Sequence, residues 1–155
     1  DRFYRDVLSL DPDIVIIAGG GNNCWDTSQE VTGLAAVDMA NAAMQRGIYV
    51  IAAPYCGISR AWVERMQMTA GLPAAEKEQI YNNFRIMQDA FESWGSAHGI
   101  PIVDASRVIA LTDSGLRSDR LRSDFVHPNQ SGYNQIALLA EGTIYRMLAL
   151  MGLEA

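Results

Sequence analysis

Apolar and polar positions change their spacing along the chain, and these changes predict alternating strands and helices. Strands are predicted at 14–18, 48–53 and 100–104. The first is an unbroken apolar run dominated by β-branched residues, which is typical of a strand covered on both faces. Between and after the strands, apolar residues recur every three or four positions, which predicts helices. The predicted helices are one that ends near Leu10 and others at about 28–45, 61–69, 74–98 and after residue 128.

Three of these helices carry an apolar face. The faces are predicted to hold Leu34, Val37, Ala40 and Met44 in the second helix; Ile80, Phe84, Met87, Phe91 and Trp94 in the long helix; and Ile136, Leu139, Ala140, Thr143, Ile144, Met147, Leu148 and Met151 in the last. Strands that alternate with helices imply right-handed crossovers and a parallel sheet with helices on both sides. We therefore expect an α/β fold, a three-layer α/β/α arrangement around a flavodoxin-like parallel sheet. Residues 1–155 read as one domain without repeats or linkers.

Loops at the carboxyl ends of parallel strands are where α/β sheets form their binding sites. Here they are 19–25, 54–59 and 105–128. The first reads GGGNNCW, and its glycines leave room for a ligand close to the main chain. Asn22 adds a neutral side-chain donor, so the loop can serve as an oxyanion hole. A glycine turn with a self-bonded asparagine explains it equally well, whereas phosphate binding is disfavoured because no phosphate-loop spacing is present.

The third loop contains SDFVHPNQSGY, residues 123–133. The three-residue spacing of Asp124 and His127 lets a carboxylate bond one imidazole nitrogen and leave the other as a base. Pro128 disfavours the α conformation at His127, just before the last helix. The same sequence also suits a helix-capping turn with an exposed histidine.

Taken together, the two loops resemble the SGNH (GDSL-like) hydrolases. The Gly-x-Asn-Asp block of that family is matched by Gly20, Gly21, Asn22 and Asn23, and its Asp-x-x-His block by residues 124–127. The order of helices and strands fits the family from its third strand onward. Asn23 departs from the usual aspartate, which we interpret as altered bracing of the loop.

The resemblance implies roles for individual residues. His127 would be the general base, Asp124 its orienting partner and Asn22 the oxyanion donor. Gly20, Gly21 and Asn23 would shape the oxyanion loop. Aromatic side chains expected near the rim, at which a substrate could bind, are Trp25, Tyr55 and Trp62, and a place in the core stays open for one of the two tryptophans.

The Gly-Asp-Ser block that carries the nucleophile in this family is absent from the chain, as is the second, glycine block. Ser59 and Ser106 are interpreted as ordinary loop or N-cap residues, and Ser131 as part of the last helix's first turn. Cys24 is disfavoured as a nucleophile. We therefore expect the serine on an N-terminal segment or a companion chain, without which strand 14–18 would be an exposed apolar edge.

The function that follows is a serine esterase acting on a small acyl ester, with O-acetyl groups on carbohydrate as one possible substrate. The alternative is a catalytically inactive SGNH-like module that binds a glycan or supports an assembly. A flavodoxin-like nucleotide binder is disfavoured by the missing phosphate loop. The esterase chemistry requires no cofactor and no metal.

Charge and cysteine content narrow the remaining choices. The 12 basic and 18 acidic residues give a formal charge of −6, which argues against nucleic acid as a partner. No apolar run approaches the roughly 20 residues needed to span a bilayer. Cys24 and Cys56 follow strands expected to be neighbours, so both a disulfide and two buried thiols are open. The sequence does not define the location, and an extracellular or periplasmic one is favoured.

Overall fold

The computed structural model describes residues 2–19, 21–25, 29–54, 59–105, 108, 110–112, 115–116, 118–124 and 126–153. The helices are α1 (Arg2–Asp6), α2 (Gln29–Met44), α3 (Arg60–Arg65), α4 (Ala74–Ala97) and α5 (Gln130–Leu150). The strands are β1 (Ile14–Gly19), β2 (Tyr49–Pro54), β3 (Ala110–Thr112) and β4 (Gly115–Leu116). Short 3₁₀ helices occupy Leu8–Leu10, Gly21–Trp25, Gln67–Thr69 and Ser118–Arg120.

The central sheet is parallel, as predicted, but narrower. β1 pairs with β2 in register from Ile14 opposite Tyr49 to Gly19 opposite Pro54. The strand expected at 100–104 is reduced to one parallel bridge between Ala52 and Ile102. The Ala52 amide donates to the Pro101 carbonyl at 2.9 Å, and the Val103 amide donates to the Ala52 carbonyl at 2.7 Å. Pro101 has no amide hydrogen to extend the ladder, so the pairing stays short.

Helices cover both faces of this sheet, which confirms the three-layer α/β/α arrangement. On one face, Val15, Ile17 and Val50 pack with residues of α2 and with Phe91 of α4. On the other, Ile51 packs with Met147 of α5. A separate apolar cluster joins α3 and α4 to the segment that precedes α5; its buried members are Trp62, Val63, Met66, Ile80, Tyr81, Phe84, Met87, Val108 and Leu121.

Two side chains are placed differently from the prediction. Trp62, expected near the rim of the site, is 1% exposed, because α3 turns it into the apolar cluster against α4. Leu34, expected on the buried face of α2, is 58% exposed. The buried side of α2 consists of small residues, and a Cβ added at Gly33 would lie 3.4 Å from the Cβ of Ala90 in α4. Such close helix packing has no space for leucine.

The segment after the Ile102 bridge contains structure that the hydrophobic pattern did not predict. β3 and β4 form a short antiparallel pair, with Ala110 opposite Leu116 and Thr112 opposite Gly115. Further along, Leu121 bridges Pro128 in antiparallel fashion. The loop that carries Asp124 and His127 therefore resembles a hairpin whose two ends are paired through Leu121 and Pro128.

β1 has a strand partner on one edge only, within the part of the chain that the structure describes. An apolar groove of about 430 Å³ runs beside this strand and reaches Phe3 of α1 and Val7, the residue after that helix. Ile16, in the middle of β1, is 45% exposed, although its neighbours Val15 and Ile17 are buried. None of the described helices is long and apolar enough to cross a membrane.

Candidate active site

Asp124 and His127 are bonded to each other at the tip of the last loop. Nδ1 of His127 lies 2.8 Å from Oδ2 of Asp124. The other carboxylate oxygen, Oδ1, accepts the amides of Val126 at 2.8 Å and of His127 at 3.0 Å. Because an ionised carboxylate only accepts hydrogen bonds, the imidazole proton must be on Nδ1. Nε2 then carries the free lone pair, which is the arrangement of an oriented general base.

The same three hydrogen bonds keep Asp124 ionised. The bond from His127, followed by those from the two backbone amides, lowers the pKa of Asp124 from 3.8 to about 2. Burial acts in the opposite direction and is a smaller effect. The carboxylate is thus charged over the whole range in which a histidine base can be neutral.

The backbone on both sides of this pair is anchored. The Arg122 amide donates to the His127 carbonyl at 2.8 Å, and the Asn129 amide donates to the Arg120 carbonyl at 2.9 Å. The Gln67 amide donates to the Asp124 carbonyl at 3.0 Å, which ties the loop to the connection after α3. Pro128 is fully buried. The imidazole is therefore held by backbone pairing, although the side chain itself is 59% exposed.

Asn129 connects this loop to α5, and sequence reasoning did not assign it a role. Its Oδ1 accepts the Gly132 amide at 3.0 Å, which caps the helix. Its Nδ2 donates to the carbonyls of Asp119 at 2.7 Å and Leu121 at 3.1 Å. The signal for the cap was present, since an asparagine stands directly before the periodic apolar residues of the last helix. The segment SDFVHPNQSGY therefore pairs an acid with a histidine and also caps a helix.

The glycine loop begins at the last residue of β1. Gly19 has φ +143°, a conformation that residues with a Cβ rarely adopt. Gly21–Trp25 then form a 3₁₀ turn. Gly20 and Tyr55, both predicted to belong to the site, lie outside the described residues.

A cleft of about 370 Å³ brings the two predicted loops together. Gly21, Asn22, Asn23, Trp25 and His127 all line it. Asp124 is not among the residues that line the cleft, but it bonds the imidazole of His127. Sequence reasoning missed five further side chains of the wall, which come from four separate segments: Met66, Met68, Phe84, Val126 and Tyr133. Their apolar periodicity indicated a core for Phe84 but could not show that its helix borders the site.

The alternative nucleophiles are accounted for as far as the structure describes them. Ser59 is the N-cap of α3, and its hydroxyl accepts the Trp62 amide at 3.2 Å, as predicted for an ordinary capping serine. Ser131 lies in the first turn of α5. Ser106 and Cys56 lie outside the described residues, as does the side chain of Cys24, so the predicted choice between a disulfide and two thiols stays open. No cluster of three metal-ligating side chains occurs among the described positions.

Comparison with protein families gives one match, which covers most of the chain. The family model described as GDSL-like lipase/acylhydrolase matches residues 1–135. That range includes both the glycine loop and the Asp-x-x-His segment. No protein with a curated function matches the chain.

Solved structures with the same fold include three bacterial proteins. A GDSL-like lipase from Bacteroides thetaiotaomicron is 23% identical, with a TM-score of 0.65 over 92% of this chain and 67% of its own. A protein from Bacteroides fragilis assigned as an acylhydrolase is 21% identical, with a TM-score of 0.72 over 95% and 68%. A protein of the G-D-S-L family from Desulfitobacterium hafniense is 20% identical, with a TM-score of 0.70 over 92% and 71%. At these identities the likeness establishes the fold, and the chain spans about two thirds of each structure.

Proposed function

Because the chain belongs to the GDSL-like lipase/acylhydrolase family, we propose that it is the larger part of a serine esterase that hydrolyses an ester with a small acyl group. Hydrolase activity in general follows from the family. The observation that carries the proposal further is the 2.8 Å bond between Asp124 and His127, in a loop whose histidine shares a cleft with Asn22.

The proposed mechanism has two acyl-transfer steps. A serine hydroxyl attacks the ester carbonyl carbon while Nε2 of His127 takes its proton, and Asp124 stabilises the imidazolium that forms. The amide of Asn22, with backbone amides of its loop, donates to the oxyanion. The C–O bond of the ester then breaks, and the departing alcohol receives the proton from His127. Water, deprotonated by His127, releases the carboxylic acid and restores the serine.

The serine is proposed to lie on a segment that pairs with the free edge of β1. The apolar groove beside this strand and the exposed Ile16 support that position. In a parallel sheet, a strand added there would end next to Gly19, at the rim of the cleft that contains His127. A nucleophile in the turn after such a strand would face both the base and the oxyanion loop.

An active-serine probe applied to the full-length protein tests the proposal. A fluorophosphonate is expected to label the wild type, and His127→Ala is expected to abolish labelling because the hydroxyl loses its base. Asp124→Asn should reduce hydrolysis roughly ten-thousandfold, as expected when the imidazole tautomer is no longer held. His98→Ala is the matched control, since the imidazole of this exposed histidine at the end of α4 bonds the Trp94 carbonyl and stacks on that indole, away from the described cleft residues.

One observation favours a second candidate, a catalytically inactive member that binds a glycan. No serine is among the described residues that line the cleft, while two exposed aromatic side chains, Trp25 and Tyr133, are. Exposed aromatic faces suit sugar rings. Complete absence of labelling in the full-length protein, together with binding of an acetylated oligosaccharide, would favour this candidate over the esterase.

A further inference from the structure

A second, smaller cavity lies beside the oxyanion loop, between α2, α4 and the carboxyl ends of β1 and β2. Its volume is about 140 Å³. Its described lining residues are almost entirely glycine, alanine, methionine and other apolar residues, among them Gly19, Gly33, Ala36, Met39, Met87 and Phe91. No ionisable side chain is among them. The one polar side chain in this described set, Gln88, donates to Glu92 at 2.7 Å.

Small residues on α2 create this space. Gly33 and Ala36 face the cavity where larger side chains would fill it. The opposite wall is formed by Met87 and Phe91, which are both buried in α4. The alanine-rich composition of α2 therefore leaves a lined apolar cavity in addition to allowing the close approach to α4.

Gly19 borders both this cavity and the cleft that contains His127. A Cβ added at Gly19 would meet no atom within 4 Å, so the space around this residue is open. The two cavities thus share the residue that begins the oxyanion loop.

The chemistry of ester hydrolysis assigns different parts of a substrate to the apolar cavity and to the cleft that contains His127. The group that leaves is the alcohol, and it must receive its proton from His127, so it belongs in the cleft that contains the histidine. The acyl chain needs no proton and no polar partner. An apolar cavity next to the oxyanion loop, with no ionisable side chain among its described lining residues, matches that requirement.

We propose that this cavity binds the acyl chain of the substrate, and that the chain has about four to six carbons. The inference rests on the proposed esterase function. An apolar protein cavity of about 150 Å³ accommodates a benzene molecule, which has six carbons. An acetyl group would leave most of a cavity of this size unfilled, and a chain of eight or more carbons would exceed it.

The test compares p-nitrophenyl acetate, butyrate, hexanoate and octanoate as substrates of the full-length protein. We expect kcat/KM to rise about fourfold with each methylene buried, up to hexanoate, and to fall at octanoate. In Ala36→Leu, which fills the cavity, the ratio of hexanoate to acetate should fall about tenfold or more, with acetate changed less than about twofold. In Met39→Ala, which widens it, the optimum should move toward octanoate.

Leu34→Ala is the matched control, because Leu34 is on the same helix but 58% exposed and outside the cavity wall. Its chain-length profile should equal that of the wild type. Equal losses on acetate and hexanoate in Ala36→Leu, or an unchanged profile in both cavity variants, would overturn the proposal. The widening variant keeps the test decisive if the filling variant does not fold.

A binding measurement separates this inference from the proposed function. In titration calorimetry, the His127→Ala variant should bind p-nitrophenyl hexanoate at least tenfold more tightly than p-nitrophenyl acetate. Adding Ala36→Leu to this variant should remove the preference. If no ester is hydrolysed but this preference is found, the esterase proposal fails and the apolar cavity stands as a binding site. If esters are hydrolysed without regard to chain length and no binding preference is found, the esterase proposal stands and the proposal of an acyl-binding cavity fails.

Discussion

At the scale of single residues, Asp124 uses its two carboxylate oxygens for different purposes. Oδ1 accepts two backbone amides and so fixes the loop, whereas Oδ2 accepts the imidazole Nδ1–H. One side chain therefore shapes the turn and orients the histidine. The three-residue spacing in the sequence indicated the second role, but the two amide bonds depend on the backbone angles of the turn and required coordinates.

The lowered pKa of Asp124 predicts how acid affects stability. A carboxylate whose pKa is depressed in the folded state stabilises the protein above its unfolded pKa, and this contribution is lost as pH falls through the folded pKa. The window is thus from about 4 down to about 2. Asp124→Asn cannot ionise, so the difference in unfolding free energy between wild type and variant should shrink across that window. Urea denaturation at about pH 4, 3 and 2 measures it, and a constant difference would contradict the prediction.

At the scale of elements, the start of α5 and the loop of His127 form one unit. Asn129 caps the helix with its oxygen and holds the loop with its nitrogen, while the first turn of α5 packs against the backbone of Arg120. The position of the imidazole is therefore coupled to the integrity of the helix start. Two predictions test this coupling, one through the cap and one through the packing.

Replacement of Asn129 should remove both connections. Asn129→Ala is expected to lower the free energy of unfolding by about 2 to 3 kcal/mol, since a cap contributes about 1 kcal/mol and two carbonyls lose their donors. Asn129→Asp keeps the capping oxygen and should recover part of the loss. Gln130→Ala, next in sequence and exposed, should change stability by less than about 0.5 kcal/mol. If Asn129→Ala and Gln130→Ala lower the unfolding free energy equally in urea denaturation, Asn129 does not connect the loop of His127 to the start of α5.

Two glycines of α5 form a matched pair. A Cβ added at Gly132 would lie 2.3 Å from the Arg120 carbonyl oxygen, whereas one added at Gly142 would meet nothing within 4 Å. Gly132→Ala should therefore destabilise the protein by about 1 to 3 kcal/mol through overpacking. Gly142→Ala should stabilise it by roughly 0.5 to 1 kcal/mol, because alanine is the better helix former. Thermal unfolding of both variants distinguishes them by sign, and a shared sign would be contrary to this account.

The helices that could be predicted from the sequence are those with a clear apolar period. The long helix was expected at about 74–98 and is Ala74–Ala97; the last begins at Gln130 as its cap indicates. The errors have local causes. The apolar period predicts that Leu34 is buried, because it gives large apolar residues the most weight. Close packing of α2 against α4 instead requires small residues on the buried face. The β3–β4 pair joins very short strands, which carry too few residues to show an alternation.

At the scale of the whole molecule, β1 is less covered than its apolar sequence predicts. Its Val15 and Ile17 are buried under α2, but Ile16 on the opposite face is 45% exposed, and the strand has one unpaired edge in the described part of the chain. The apolar run at 14–18 predicted a strand covered on both faces. The site has the same asymmetry, since the cleft contains the proposed base and the proposed oxyanion loop but no serine among its described lining residues. A single added segment on β1 would complete both.

The last prediction tests that completion in the full-length protein. If a segment carrying the serine covers β1, Ile16→Lys places a charge in an apolar interior and should destabilise the protein by about 3 kcal/mol or more. It should also reduce fluorophosphonate labelling, because the serine loses its support. Leu34→Lys, at the exposed position on α2, should stay within about 0.5 kcal/mol of the wild type in urea denaturation. If the two lysine variants are equally stable, Ile16 is a surface residue in the complete protein, and the nucleophile must reach His127 from elsewhere.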